Sequence, residues 1–420
     1  MTKPNHDIEP GHLEACQVCG SKDLELVIDL GHQAPCDSLL TAAQLNEPEA
    51  TYPLRLVRCT SCSLAQIDYI VPGDVVYHPA YPYRSGITRE LYNHHQRLSV
   101  EVVERFGTPK DSLIVDIGSN DGTLLKGFQR QGMRTVGVEP TNIAKIAIED
   151  GVETINDFFG EDVAREVAAQ HGKAKVITAT NVFAHMASLG QVIRGVEELL
   201  DDDGVFVLEN HYLLDIVKGV QYDSIYHEHL RSYSIKSIIQ LFDYYDLSVV
   251  DAHRVASYGG SIRIYVAKGK NTQPSTGLVN LIAEERAFGL YDSETFVEFR
   301  RRALESKKAL LNLAITAERE EMRFVGNSCP GRSATLLNFV GLDRELMPYI
   351  AEQPTSLKLG LHLPGKHIPV VDNSVLFSEQ PEYVVLLAWH YWEPISADLR
   401  ARGLKSKFIL PLPEVRIIES

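Results

Sequence analysis

Side chains that can exchange protons are concentrated in residues 222–233. Four consecutive residues there can give or take a proton: Tyr226, His227, Glu228 and His229. These are the side-chain types that act as general acids and bases in catalysis. Only two neighbours, Ile225 and Leu230, are plainly apolar, so periodicity predicts neither a core strand nor a core helix. The alternative is a solvated surface loop with unrelated histidines, and the binding fold predicted for the preceding segment argues against it.

Four of the six cysteines form two C-x2-C pairs, which are Cys16 with Cys19 and Cys59 with Cys62. Two such pairs can present four thiolates tetrahedrally to one Zn²⁺, although the stretch between them exceeds the roughly 20 residues of a short zinc ribbon. Because all four ligands would be protein thiolates, the predicted site is closed and structural. Two separate redox pairs are the alternative, but they would require a βαβ context that is not seen here.

The composition limits the possible partners. The chain has 420 residues, too many for one ordinary core, and a net charge of −15 that argues against nucleic acid and anionic membranes as partners. The first residues form no apolar run, and no window approaches the roughly 18 apolar residues of a membrane-spanning helix. We therefore expect a cytoplasmic protein of several domains, and a monomer.

The middle of the chain alternates strands and helices from residue 112 to 209, which predicts a parallel sheet that binds ligands at its strand ends. The first strand, 112–116, ends in Asp116 and leads through a turn with Gly118, Asn120 and Gly122 into a helix from Thr123. This wide, acidic turn suits a cationic or neutral cofactor better than a pyrophosphate. Glu139, at the end of the second strand, is placed to bind ribose hydroxyls. A dinucleotide dehydrogenase is the competing hypothesis, but it would require a third glycine.

The turn together with Gly137-Val-Glu139 resembles motifs I and II of the S-adenosylmethionine-dependent methyltransferases. More narrowly, the chain resembles the nucleotide-sugar C-methyltransferases of deoxysugar and antibiotic biosynthesis, of the dTDP-sugar C-3′-methyltransferase type. The matching segments are the two cysteine pairs, Asn181-Val-Phe-Ala-His185, Ile225-Tyr-His-Glu-His-Leu230, Gly259-Gly-Ser-Ile-Arg-Ile-Tyr265 and Pro364-Gly-Lys-His-Ile-Pro-Val370. They cover nearly the whole chain in order.

The resemblance implies roles for particular residues. It makes His229 the general base and assigns catalytic roles to Glu228, Tyr226 and His185. It places one functional tyrosine in the loop Tyr81-Pro-Tyr83, where we favour Tyr81 as catalytic and Tyr83 as a wall of the substrate site; packing is the alternative for both. The cofactor residues that it adds are Asp157, Phe158 and Asn181.

The resemblance also implies three parts: a zinc-binding module (1–75), a Rossmann-like methyltransferase domain (76–270) and a second Rossmann-like domain (271–420) that helps to hold a nucleotide-sugar. In the last part, Ser328 and Ser333 stand where the family commonly has glycines, which puts the nucleotide contact in question. Arg332 can replace the usual lysine as a bidentate phosphate donor. Lys366 is the other basic candidate, with a surface lysine as its alternative.

The implied reaction transfers a methyl group from S-adenosylmethionine to a carbon next to the keto group of a nucleotide-linked 4-keto sugar, which in the family that it resembles is dTDP-linked. A base must remove the proton, and donors must stabilise the enolate oxygen. Methylation of oxygen or nitrogen on a similar sugar is one alternative, and a non-catalytic zinc-ribbon binding protein is another. A catalytic metal at His227, Glu228 and His229 is a third, but its His-x-His spacing is poor for one helix face.

Overall fold

The structure is a computed structural model that describes residues 3–77, 84, 86, 89–270 and 273–419. It confirms the predicted α/β fold class, with a zinc-module sheet followed by two Rossmann-like sheets. Tyr81 and Tyr83 lie outside the described residues. Among these residues, no helix has the length and apolar character that crossing a membrane requires.

The N-terminal sheet is antiparallel and has four strands within the described residues. Its strands, in spatial order, are Arg231–Ser232, Ala65–Ile67, Tyr52–Cys59 and Leu24–Gln33. The strands from residues 24 and 52 were predicted, whereas the contribution of Arg231–Ser232 was not. This strand belongs to the proton-handling segment and pairs with Gln66 and Ala65. A two-stranded ribbon of Gly11–His12 and Tyr69–Ile70 flanks the sheet.

The central sheet has seven strands within the described part of the chain. In spatial order they are Leu247–Val255, Ser261–Lys268, Leu200–His211, Ala174–Thr180, Leu113–Ile117, Arg134–Val138 and Thr154–Ile155. The last five are parallel, as predicted, and the first two are antiparallel additions. The helices of this part are Arg89–Phe106, Thr123–Gln129, Ala144–Glu149, Glu161–His171, Leu189–Leu199, Leu213–Lys218 and Ile235–Phe242.

The C-terminal sheet has six strands in the residues described. In spatial order they are Val370–Asp372, Ile350–Glu352, Phe324–Asn327, Tyr383–Leu386, Lys407–Leu410 and Arg416–Ile418, and only the last pair is antiparallel. The helices are Thr276–Phe288, Ser293–Arg319, Arg332–Val340, Ser374–Glu379 and Trp392–Ala401. Phe324–Asn327, the turn after it and Arg332–Val340 form the predicted second strand–turn–helix unit.

The segment 222–233 is buried and is not a solvated loop. His227, Glu228 and His229 are only 2%, 4% and 7% exposed. The physical reason is that elements from all three sheets cover the segment. Its irregular backbone bends at a short 3-10 turn, Tyr222–Ser224, and ends in the strand at Arg231.

Candidate active site and metal centre

The four predicted cysteine ligands come together. Their sulfur atoms all lie within 4.8 Å of one another, with Sγ–Sγ distances of 3.4 Å for Cys16–Cys62 and 3.5 Å for Cys19–Cys59. Four thiolates about 2.3 Å from a tetrahedral Zn²⁺ would be separated by roughly 3.8 Å, so the donor set fits one zinc ion. Hydrogen bonds among the four thiols lower the pKa of Cys19 and Cys59 and raise that of Cys16 and Cys62.

A cavity of about 1400 Å³ lies where the three parts of the chain meet. It is lined from the N-terminal part by Asp37 and Tyr77, from the central part by residues of the predicted cofactor and catalytic sets, and from the C-terminal part by Arg332 and Lys358. This volume exceeds the roughly 300–1,000 Å³ of a typical site for one small ligand. It has room for a cofactor and a second molecule together.

Four residues of the predicted cofactor set line this cavity: Asp116, Gly118, Asn120 and Glu139. Gly122 instead faces the side chains of Val152 and Ala147 in the core. Gly118 and Gly122 have φ angles of +70° and +73°, which glycine adopts without strain. A Cβ on Gly118 would come within 2.6 Å of the Val182 side chain, so the turn requires glycine there. Asp116 accepts a 2.6 Å hydrogen bond from Thr178 Oγ1, and burial raises the pKa of Asp116 to about 7.

Glu139 closes the turn from the next strand. Its carboxylate accepts hydrogen bonds from the backbone N–H groups of Asn120 at 3.0 Å and Thr141 at 2.9 Å. Both oxygens therefore have a fixed direction at the edge of the cavity. Glu139 therefore holds the conformation of the glycine turn that contains Asn120. This role is additional to its predicted contact with ribose.

Three further predicted cofactor residues line the same end of the cavity: Asp157, Phe158 and Asn181. Phe158 is 66% exposed, which is unusual for a large apolar ring and leaves its face available for stacking. Asn181 Oδ1 is buried and has no hydrogen-bond partner among the residues that the structure describes. A polar ligand in the cavity would satisfy it, so the residues present fit a nucleoside-containing cofactor.

The imidazole of His229 is fixed by the backbone of its own segment. Its Nδ1 lies 2.6 Å from the carbonyl oxygen of Ser224. Because a carbonyl only accepts, Nδ1 carries the proton and the neutral ring keeps its lone pair on Nε2. The ring of Tyr226 lies against it, with 3.8 Å between ring centroids. Burial, followed by the neighbouring His211 and His185, lowers the pKa of His229 well below its usual value.

His185 and His211 flank His229, with ring centroids 4.9 Å and 4.8 Å from it. Burial lowers the pKa of His185 to about 4 and that of His211 to about 3, so both are neutral near pH 7. Nδ1 of His185 lies 3.2 Å from the hydroxyl of Tyr77. Sequence reasoning did not select Tyr77 or His211. Tyr77 begins the same aromatic loop as Tyr81, and that proximity was the available signal.

Glu228 points toward the N-terminal part. Its Oε1 accepts a hydrogen bond from the Cys36 thiol at 3.3 Å. Asp37, the residue after Cys36, accepts a hydrogen bond from the Lys358 ammonium at 2.7 Å. Lys358 also donates to the Cys329 carbonyl at 2.9 Å. Cys36, Asp37 and Glu228 are close enough to share a metal ion, but the Lys358 ammonium already supplies a cation to Asp37.

His227 differs from its neighbours in direction. Its Nε2 donates to the Pro53 carbonyl at 3.2 Å, and its ring meets Tyr52 edge-on. Within the described residues, His227 and His229 belong to neither group of His, Cys, Asp and Glu side chains that could hold a metal. The geometry therefore gives no support to a metal site at His227, Glu228 and His229.

The two basic residues predicted for substrate binding lie in different cavities. Arg332 lines the main cavity, where it donates to His390 Nδ1 at 3.3 Å and its Nε lies 3.7 Å from the Asp223 carboxylate. Lys366 instead lines a separate hollow of about 500 Å³ beside Arg344 and His367. Gly365 and His367 are held there by Glu49, which keeps this loop away from the main cavity. Lys358 is the lysine that lines the main cavity, and sequence reasoning missed it.

Three family models match successive parts of the chain. They are described as "Putative zinc binding domain" (residues 16–77), "Methyltransferase domain" (92–252) and "C-methyltransferase C-terminal domain" (256–413). The order agrees with the three sheets and with the positions of the cysteine cluster and the glycine turn.

Several known proteins are similar to this chain in sequence or in structure. C-methyltransferase NovU of Streptomyces niveus is 32% identical over 412 residues, which cover 97% of each chain. A ubiquinone biosynthesis O-methyltransferase of Azorhizobium caulinodans is 26% identical over 140 residues, or 31% of this chain and 51% of the relative. Among solved structures, an S-adenosylmethionine-dependent methyltransferase from Clostridium acetobutylicum has a TM-score of 0.35 and 13% identity, and the match covers 43% of this chain and 92% of that one.

The match to C-methyltransferase NovU spans nearly the whole chain, and the family models assign both the zinc-binding and the methyltransferase parts. Zinc is accordingly the metal of the cysteine cluster, and S-adenosylmethionine is the cofactor of the central sheet. The chain belongs to the C-methyltransferase family and is an S-adenosylmethionine-dependent C-methyltransferase.

Proposed function

We propose that the enzyme methylates a carbon next to the keto group of a nucleotide-linked 4-keto deoxysugar, and that His229 is the general base. The observation that carries this proposal is the hydrogen bond from His229 Nδ1 to the Ser224 carbonyl. It leaves a buried, neutral imidazole with its lone pair on Nε2 in the wall of the cavity. Carbon methylation needs such a base, because a C–H next to a ketone must lose its proton before the carbon can attack.

In this proposal, His229 Nε2 takes the proton from the sugar carbon. The electrons of that C–H bond form the C=C bond of an enolate, and the C=O π electrons move to the keto oxygen. Tyr226 and His185 are the donors available to this enolate oxygen. Bound S-adenosylmethionine would supply a methyl group on a sulfonium, which the enolate carbon would take while the C–S bond electrons stay on sulfur as a neutral thioether. Glu228, held by the Cys36 thiol, is left to bind a sugar hydroxyl.

The cofactor is proposed to occupy the end of the cavity lined by Asp116, Gly118 and Asn120, with Glu139 on its ribose. Asp157 and Phe158 would flank the adenine, and Asn181 would satisfy its buried oxygen on the cofactor. His229 and His185 line the same cavity, so they would be available to a substrate placed beside the methyl group. Close approach of methyl and carbon supplies much of the catalysis in such a transfer.

The nucleotide part of the substrate is proposed to lie toward the C-terminal sheet. Arg332 begins the helix Arg332–Val340, whose N-terminus reaches the cavity, and Lys358 lies beside the preceding turn. Cationic side chains in this position can bind phosphate oxygens. Lys366 has no place in this proposal because it lines the other hollow. The roles of Tyr81 and Tyr83 are retained from the family resemblance alone.

The test is product analysis with a panel of nucleotide-4-keto sugars and methyl-labelled S-adenosylmethionine. The expected product carries a new C-methyl group at the carbon beside the ketone, seen by NMR as a methyl bound to carbon. An O-methyl product would instead support the alternative of sugar O-methylation. Absence of turnover with every keto sugar, together with turnover of an unrelated acceptor, would refute the substrate class.

A further inference from the structure

The segment that carries His229 is attached to the N-terminal sheet at several points. Arg231 and Ser232 pair with Gln66 and Ala65 as an antiparallel strand. Just before them, the Leu230 carbonyl accepts from the Ile67 N–H at 3.2 Å. Earlier still, His227 donates to the Pro53 carbonyl. Hydrogen bonds from the N-terminal part therefore hold the backbone immediately around His229.

One of these attachments begins inside the cysteine cluster. Gln17 lies between Cys16 and Cys19 and is 2% exposed. Its side-chain Nε2 donates to the Ile67 carbonyl at 3.2 Å and to the Leu230 carbonyl at 3.4 Å. Its backbone N–H donates to Gln66 Oε1 at 2.8 Å. A single residue of the first cysteine pair thus contacts both the strand Ala65–Ile67 and the residue next to His229.

We propose that Gln17 is a positioning residue that couples the four-cysteine cluster to the segment carrying His229. The backbone of a C-x2-C turn is held by its thiolates when they share one metal ion, so the direction of Gln17 depends on that cluster. A displacement of about 1 Å of a catalytic group can cost on the order of a hundredfold in rate. The contribution to turnover rests on the proposed role of His229, whereas the mechanical coupling does not.

The first test is Gln17→Met, which keeps the length of the side chain and removes both donated hydrogen bonds. We expect kcat to fall about ten- to a hundredfold, with the KM for S-adenosylmethionine and the zinc content unchanged. Thr60→Ala is the matched control. Thr60 lies between the other two cysteines, and within the described part of the chain its hydroxyl donates to the Asp23 carbonyl of the same module, so its loss should leave kcat near the wild-type value.

The second test is amide hydrogen exchange on the wild-type protein before and after removal of zinc by a chelator. We expect exchange in residues 222–233 to accelerate together with that of the cysteine pairs, while the strand Leu113–Ile117 stays protected. This readout needs no substrate. If exchange in the wild-type protein accelerates after chelation and the His229→Ala variant is nevertheless fully active, the coupling is supported and only the catalytic role of His229 is refuted.

Two results would overturn the coupling. One is a Gln17→Met protein with full zinc content and turnover within twofold of the wild type, while His229→Ala abolishes turnover. The other is a chelated wild-type protein whose residues 222–233 remain as protected as Leu113–Ile117. If Gln17→Met does not fold, the exchange experiment on the wild-type protein decides the question alone.

Discussion

The Ser224 carbonyl and the His229 imidazole are joined by a 2.6 Å hydrogen bond within one turn of the chain. The bond fixes one tautomer of the histidine, with the lone pair on Nε2. We expect His229→Ala to abolish both methyl transfer and solvent-deuterium exchange at the sugar carbon, while calorimetry shows unchanged affinity for S-adenosylmethionine. His227→Gln is the control, because that side chain points to Pro53. Loss of exchange in His227→Gln with retention in His229→Ala would reverse the assignment.

The pH dependence of catalysis follows from the burial of His229. Burial and the neighbouring histidines lower its pKa well below its usual value of 6.5, so protonation inactivates the base only under more acid conditions. The acid limb of kcat/KM should therefore lie well below pH 6.5, with activity nearly constant between pH 6.5 and 8. Initial rates with saturating S-adenosylmethionine would measure this limb, and an acid limb at or above 6.5 would contradict the prediction.

Stability should also fall on acidification. Burial lowers the pKa of His95 to about 4 and that of His227 to about 4, and both side chains are buried. The unfolded chain takes up these protons below pH 6.5 and the folded chain does not, so folding is favoured above that pH and disfavoured below it. Each of these two histidines should lower the free energy of unfolding by about 1.4 kcal/mol for every pH unit as the pH falls from 6.5 to about 4. Urea titrations at several pH values, with His95→Gln as the comparison, would show the reduced slope.

Glu139 has two measurable roles because its oxygens also hold the turn before it. Glu139→Ala should weaken cofactor binding by roughly 1.5–3 kcal/mol through the loss of charged hydrogen bonds. Glu139→Gln keeps one acceptor oxygen and should lose less. Isothermal titration with S-adenosylmethionine would rank the two variants, and unchanged affinity in Glu139→Ala would remove this residue from the cofactor site.

The two lysines of the C-terminal part provide a matched pair. Lys358→Met should raise the KM for the nucleotide-sugar at least tenfold, because Lys358 lines the main cavity, whereas Lys366→Met should leave that KM unchanged. Lys358→Met also removes the ammonium that pairs with Asp37, so the double variant with Asp37→Asn separates folding cost from substrate binding. An effect confined to Lys366→Met would move the substrate to the smaller hollow.

The parts of the fold that depend on local pattern could be predicted from the sequence. The strands and helices between 113 and 211 follow from apolar runs and glycine turns, and the cysteine pairs follow from their spacing. The attachment of Arg231–Ser232 to the N-terminal sheet could not be predicted, because a two-residue strand has no periodicity and its partner is distant in the chain. The sequence pattern led to Lys366 and not to Lys358, because the separation of these two lysines between two cavities depends on tertiary packing.

The order of synthesis has a consequence for the strand Ala65–Ile67. During synthesis the four cysteines and this strand leave the ribosome early, but the strand's outer partner, Arg231–Ser232, follows only after most of the central sheet. Until then the strand exposes unpaired backbone groups, which can pair with another chain. Slow translation before residue 231 should therefore favour aggregation of nascent chains even when zinc is abundant.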